Sequence, residues 1–312
     1  MQENDSERAM FDGHRSGFVS VLGRPNVGKS TLMNAYLGQK ISIVSPKPQT
    51  TRRRVLGILT LEHAQILFID TPGIHKPHHK LGEMMVQTAI QTIPDADVLL
   101  LLVDASQPTA AADAQIARLI KDHGAQIPLV LALNKMDLVP QAERQQRAQQ
   151  YLEQTSANNW IYVSATTGEN RDALLDLVIE QLPWGPQYYP PDQVTDQTER
   201  AIAAELIREQ ILNHTRQEVP HAVDVIVTEF VPRSSTLTYI YAVIIVERSS
   251  QKGIVLGKGG KMIKAISQAA RQQIETMVGT QVYLELWVKV RPKWRQKEKE
   301  LERMGYDKPT PL

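Results

Sequence analysis

One stretch, Gly23-Arg-Pro-Asn-Val-Gly-Lys-Ser30, constrains this chain more than any other. An apolar strand pattern over residues 18–22 leads into it, and a helical pattern over 29–37 leads out. Glycines in that position let backbone N–H groups turn inward, and the helix that follows adds partial positive charge from its N-terminus. Together these make a phosphate-binding loop, which needs a layered α/β sheet to carry it. Gly23, Asn26, Val27, Gly28, Lys29, Ser30 and Thr31 are its candidate nucleotide-binding residues. Lys29 is expected to reach the terminal phosphates and the Ser30 hydroxyl to ligate Mg²⁺.

The sequence around the loop supplies the sheet. Residues 55–61 and 65–69 read as two strands joined by the short link Glu62-His-Ala, and so as an antiparallel pair. Residues 98–103 and 127–133 are continuous apolar runs, as expected of parallel strands covered on both faces. Helical patterns fill 110–121 and 141–154, and a last strand at 160–163 precedes a helix over 171–181. Alternation of this kind predicts a P-loop sheet with helices on both faces. Further polar motifs sit where the strands end. A carboxylate at Asp70 in Asp70-Thr-Pro-Gly73 can hold the metal, and the Gly73 N–H can contact the terminal phosphate. In Asn134-Lys-Met-Asp137, Asp137 can accept from the two donors on the guanine edge, Asn134 can bond the base's other edge, and the Lys135 stem can cover its face. Ser164, Ala165 and Thr166 follow the last strand, where a backbone N–H can reach guanine O6. Motifs placed in this order at strand C-termini converge on one crevice.

The 312 residues leave room for about two domains. Four prolines and a glycine within residues 183–192 break the pattern and read as a semi-rigid linker. Beyond it comes an amphipathic helix at 198–213, a strand pair at 222–230 and 237–246, and a short helix at 251–256. A longer helix at 261–277 and a closing strand at 281–290 complete the order α-β-β-α-α-β. Gly257, Lys258, Gly259 and Gly260 join the two later helices and fit the Gly-x-x-Gly loop of a KH domain, which clamps the backbone of single-stranded RNA. The architecture expected is therefore a P-loop GTPase-type α/β domain followed by an α+β type II KH domain. The parts are a polar extension at 1–15, the first domain at 16–183, a linker at 184–192, the KH domain at 193–297 and a charged, solvated tail at 298–312.

Charge agrees with that division. Residues 1–192 hold 17 basic and 20 acidic side chains, and residues 193–312 hold 18 and 14. Within 252–297 ten basic residues face only Glu275 and Glu285, so polyanion binding belongs there. Lys258, Lys261 and Lys264 surround the glycine loop, and Ile254, Val255 and Leu256 suit an apolar groove under the bases. Lys289, Arg291, Lys293 and Arg295 extend the RNA track if the last strand continues past Pro292. The chain has no cysteine, which excludes disulfides, thiolate metal sites and cysteine nucleophiles. The N-terminus lacks a signal-peptide pattern, and no apolar run approaches ~18 residues.

These residues resemble the Era family of GTPases from about residue 17 to about residue 297. The match rests on GRPNVGKSTL, on Pro48-Gln-Thr-Thr-Arg-Arg53, on DTPG, NKMD and SAT, and on the glycine loop. The resemblance implies GTP binding and hydrolysis to GDP with Mg²⁺ held by Ser30, Asp70 and Thr50 or Thr51. Lys29, Gly73 and the two threonines are the candidate catalytic residues. It also implies a KH domain on the 3′ end of small-subunit ribosomal RNA and work in assembly of the small ribosomal subunit. The protein is then a cytoplasmic monomer. Peripheral contact with the inner face of the membrane is a family trait for which nothing in the sequence speaks. Asn26 reads either as a turn former or as a ligand for K⁺. Where many GTPases place a water-orienting Gln after DxxG, this chain has Ile74, which can neither donate nor accept a hydrogen bond. His75, His78 and His79 with Lys76 and Lys80 read as a solvated switch loop rather than a metal site. Two rival functions are an RNA adaptor that binds GTP with negligible hydrolysis and a P-loop phosphotransferase.

Overall fold

The computed structural model describes residues 10–47 and 49–306. Residues 1–9 of the expected extension, Pro48 of the 48–53 stretch and residues 307–312 of the expected tail lie outside the described residues.

The first half runs β1 (Arg15–Leu22), α1 (Lys29–Leu37), β2 (Val55–Thr60), β3 (Ala64–Asp70), α2 (Lys80–Gln91), β4 (Val98–Asp104), α3 (Ala111–Gly124), β5 (Leu129–Asn134), α4 (Gln141–Thr155), β6 (Asn159–Tyr162) and α5 (Arg171–Gln181). The strands form one sheet in the order β2-β3-β1-β4-β5-β6. Only the β2–β3 pair is antiparallel. The unbroken apolar run of β4 is explained by burial on both faces: Leu100 and Leu102 enter one core layer, while Leu99, Leu101 and Val103 enter the other. β1 lies between β3 and β4, so its C-terminal end, and the phosphate loop it carries, opens at the crevice of the sheet.

The second half runs α6 (Glu199–His214), α7 (Val219–Ala222), β7 (Asp224–Pro232), β8 (Leu237–Val246), α8 (Ser249–Leu256), α9 (Lys261–Val278) and β9 (Gln281–Val290). Its sheet has the order β7-β8-β9, with β7 antiparallel and β9 parallel to the central strand. A parallel neighbour requires a crossover, which α8 and α9 supply. α9 turns Ile266, Ala270 and Ile274, one helical repeat apart, into a core shared with Ile207, Ile211, Ile240, Ile244 and Val288.

Four expectations change here. The helix read as amphipathic, α6, has no solvent face of the expected kind. Its apolar side fills the KH core, and its polar side is buried against the first domain. There Glu209 accepts from Lys40 (2.5 Å) and from the Val44 N–H (2.9 Å), and Arg208 donates to the Thr50 carbonyl. Second, part of the segment read as a solvated tail is a packed helix, α10 (Glu298–Arg303). Trp294, Leu301, Met304 and Tyr306 are buried against Leu81, Met84 and Met85 of α2. The apolar side chains lie at helical spacing among charges, so a charge count hid them. Third, α2 begins at Lys80, the last residue of the stretch read as a loop, and His79 caps it by accepting from the Gly82 N–H (3.0 Å). Fourth, the basic residues after β9 do not share one face. The strand ends at Val290, Arg291 pairs with Glu300 (2.8 Å) and Arg295 with Glu247 (2.6 Å), which makes them structural.

The proline-rich segment lies along the first domain. Gln65 Oε1 accepts from the N–H groups of Tyr188 and Tyr189 (2.7 and 2.9 Å), the Gly185 N–H donates to the His14 carbonyl (3.1 Å), and Tyr188 stacks on Phe18. Among the described residues no helix is long and apolar enough to cross a membrane.

Candidate nucleotide site and RNA groove

At the crevice lies a cavity of about 440 Å³. Asn26, Gly28, Lys29, Ser30, Thr31, Gly73, Asn134, Lys135, Asp137, Ala165 and Thr166 line it, as do Thr50 and Thr51. The structure thus brings together residues from five separate segments. Gly23, Val27, Asp70 and Ser164 stand behind the wall. Gly28 has a φ of +107°, and a Cβ there would lie 2.3 Å from Asn134 Nδ2, so only glycine closes the loop. Asn26 takes the left-handed backbone of a turn former (φ +63°), and its Nδ2 donates to the Pro46 carbonyl (2.8 Å).

Lys29 is buried, and its ammonium donates to the carbonyls of Gly23 (3.2 Å) and Arg24 (3.1 Å). Burial pulls its pKa down to about 8, against the opposing pull of the Asp70 charge. A charged lysine held in a buried, incompletely compensated setting is poised for an anion. Asp70 is fully buried, and burial raises its pKa despite Lys29 nearby. Its Oδ2 accepts from Ser30 Oγ (2.6 Å) and Thr51 Oγ1 (3.4 Å), while its Oδ1 has no partner. Ser30 Oγ and Thr51 Oγ1 are 3.0 Å apart. An orphaned buried carboxylate oxygen beside two hydroxyls fits a hard divalent cation that prefers oxygen ligands. Of the two threonines, Thr51 joins this group. Thr50 Oγ1 instead donates to the Lys47 carbonyl (2.6 Å).

At the base end the expected contacts are linked to one another. Asn134 is buried; its Nδ2 donates to the Val27 carbonyl (2.7 Å) and its Oδ1 accepts from the Ala165 N–H (2.9 Å). It ties the phosphate loop to the 164–166 turn with one of its two Nδ2 hydrogens while also lining the cavity, and the Ala165 N–H is engaged with it. Asp137 is exposed at the cavity mouth beside the exposed Leu138. Lys135 is held by Asp104 (2.6 Å). Sequence reading missed the arc of Ile43, Val44, Ser45, Pro46 and Gln49 on the opposite wall. Of these only Gln49 falls in a motif, the 48–53 stretch, and the fold returns the rest to the site. Among the histidines, His75 meets Gln49 and His79 caps α2.

In the second domain the glycine loop takes left-handed backbone at Gly257, Gly259 and Gly260 (φ +71°, +60° and +75°). Lys258, Lys261 and Lys264 are exposed around it. Beside it a groove of about 510 Å³ runs between α9 and β9, floored by Ile263, Leu284 and Leu286 and rimmed by Lys264 and Arg271. Of the apolar residues expected to line it, Val255 is core and Ile254 is exposed. The alternation of Val282, Leu284 and Leu286 in the last strand is the sequence signal for the floor of this groove.

A phosphate-loop sheet with these motifs, followed by a glycine-loop groove on a three-stranded sheet, defines a P-loop GTPase fused to a KH domain. The family described as 50S ribosome-binding GTPase matches residues 18–135, and the KH domain family matches residues 218–295. GTPase Era of Rippkaea orientalis is 52% identical over 95% of this chain and 93% of its own length. GTPase Era of Heliobacterium modesticaldum is 48% identical over 94% and 97%. The chain belongs to the Era family and is a GTPase. A crystal structure of Era with MgGDPNP and nucleotides 1506–1542 of 16S ribosomal RNA superposes with a TM-score of 0.90 at 38% identity, covering 94% of this chain and 99% of that one. An Aquifex aeolicus Era variant bound to GDP·AlF4⁻ gives 0.89 at 39% identity with the same coverage.

Proposed function

We propose that this GTPase works in the cytoplasm, binds the 3′ region of small-subunit ribosomal RNA through the α9–β9 groove, and serves assembly of the small subunit. One observation carries the further step that nucleotide and RNA are coupled. Thr51 reaches Ser30 and Asp70, and the next residue, Arg52, is buried in the second domain. Its guanidinium donates to the carbonyls of Val223 (2.6 Å), His221 (3.2 Å) and Pro220 (3.3 Å). A shift of Thr51 on loss of the terminal phosphate therefore pulls on the KH domain.

In this reading the Lys29 ammonium and the inward N–H groups of residues 26–30 hold the phosphates, and Asp137 accepts from guanine N1–H and N2–H₂. Ser30, Thr51 and Asp70 would hold Mg²⁺, which when bound neutralises charge on the phosphate oxygens. A K⁺ ion beside Asn26 belongs to the same reading. The relative solved with 16S nucleotides supports the choice of RNA. The test is crosslinking the protein to RNA in cells and sequencing the attached fragments. Reads concentrated at the 3′ end of small-subunit ribosomal RNA are expected. Reads spread over messenger or large-subunit RNA would refute the assignment.

A further inference from the structure

We infer that Gln49, oriented by His75, positions the attacking water in GTP hydrolysis, the part that residue 74 cannot play. Ile74 is 1% exposed and packs with Ala89 and Ile93 in the core, so its side chain points away from the cavity. Its N–H donates to the Gly23 carbonyl (3.2 Å), which fixes it there. A polar side chain from another segment reaches the cavity instead. Gln49 lines it together with Lys29, Thr51 and Gly73. It does so from a left-handed backbone (φ +63°), which glutamine adopts only where its surroundings hold it.

The hydrogen bonds settle the orientation of this amide. His75 Nδ1 lies 2.9 Å from the Gly73 carbonyl, which can only accept, so Nδ1 carries the proton. In the neutral ring Nε2 is then an acceptor. Gln49 Nε2 lies 2.8 Å from it and donates. The Gln49 Oε1 is left as an acceptor on an amide whose other end is tied down. An acceptor of that kind orients a water by taking a hydrogen bond from one of its O–H groups. The water oxygen attacks the γ-phosphorus as the bond to the β–γ bridging oxygen breaks. Its proton passes to a γ-phosphoryl oxygen, giving GDP and inorganic phosphate. Gln49 neither gains nor loses a proton. His75 is a positioning residue that acts through Gln49, and it also grips Gly73, so the pair joins the 43–53 segment to the DTPG turn.

The inference rests on the cavity being the GTP seat. Two measurements on the full chain separate the two claims: equilibrium binding of a non-hydrolysable GTP analogue, and single-turnover GTP hydrolysis in Mg²⁺ and K⁺. Gln49→Ala keeps a Cβ, so its backbone requirement matches that of the native residue. It is expected to slow hydrolysis about a hundredfold, the effect of losing placement of a reactant, with analogue affinity unchanged within about twofold. His75→Leu is expected to slow it about tenfold or more, because the amide is released. His75→Gln, which can accept from Gln49, restores most of the rate. The double variant Gln49→Ala with His75→Leu is expected to be no slower than Gln49→Ala alone, since the two act as one unit. Hydrolysis by Gln49→Ala within about threefold of the unaltered rate, or a loss of analogue affinity in proportion to rate, overturns the role of Gln49. Additive losses with no rescue by His75→Gln overturn the role of His75. Failure of the unaltered protein to bind the analogue would instead sink the GTP seat.

Discussion

Replacing Lys258 and Gly259 together by aspartate is expected to abolish RNA binding while leaving GTP turnover without RNA within about twofold of the unaltered rate. The two substitutions set two negative charges in the path of the RNA backbone and remove a lysine from the exposed cluster. Binding driven by counterion release falls steeply when phosphate contacts are lost, and its salt dependence flattens with it. The loop itself tolerates the change. A Cβ on Gly259 meets nothing within 4 Å, and its left-handed backbone adds only ~1–2 kcal/mol of strain. The nucleotide cavity is built from other segments, so its chemistry is untouched. The check is RNA affinity over a salt series, with GTP turnover on the same samples. A folded double variant that binds RNA normally would show that the glycine turn is only a helix connection.

Asp137→Asn is expected to weaken GTP binding by about tenfold to a hundredfold or more and to raise affinity for xanthosine triphosphate. In the proposed site the carboxylate accepts from both N1–H and N2–H₂ of guanine. An amide presents a donor to one of them, and a mismatched polar pair is unfavourable by ~1–3 kcal/mol. Xanthine carries a carbonyl where guanine carries its amino group, so it suits the amide. Asp137 is exposed and makes no contribution to the core, which keeps folding out of the comparison. Competition among GTP, XTP and ATP measures the switch. A variant that still prefers GTP, or an unaltered protein that binds ATP equally well, would remove Asp137 as the guanine reader.

The motifs were legible because each is a local string whose chemistry is set by its own neighbours. The α1 boundaries fall where the sequence puts them, since Gly28 must precede the helix and Lys29 must begin it. β9 likewise shows its alternation over its whole length. What the sequence did not show depends on partners distant in the chain. Leu81, Met84 and Met85 look unremarkable until Trp294 and Leu301 cover them. Arg208 and Glu209 make α6 look amphipathic, and only the first domain explains their burial. Asn134 has the identity of a base reader, and only the fold shows that its amide also ties Val27 to Ala165. Thr50 and Thr51 are equivalent as letters, and only their hydrogen-bond partners in the fold separate them. Gln49 carried no signal beyond its place beside those threonines.

The coupling proposed between the two sites runs through the buried Arg52 guanidinium, alongside the Arg208 guanidinium that donates to the Thr50 carbonyl. Arg52 follows the threonine at the metal group, and its partners are backbone carbonyls at the entrance to the KH sheet, close to the buried Asp224 (3.9 Å). Lysine cannot reproduce a planar fork that reaches three carbonyls. The most direct measurement is the dissociation constant of the full chain for an oligonucleotide of the small-subunit 3′ end, with a GTP analogue and with GDP. Affinity at least about fivefold tighter with the analogue is expected, a coupling of ~1 kcal/mol, together with a ratio near one in Arg52→Lys. Equal affinities in the two nucleotide states of the unaltered protein would contradict the account.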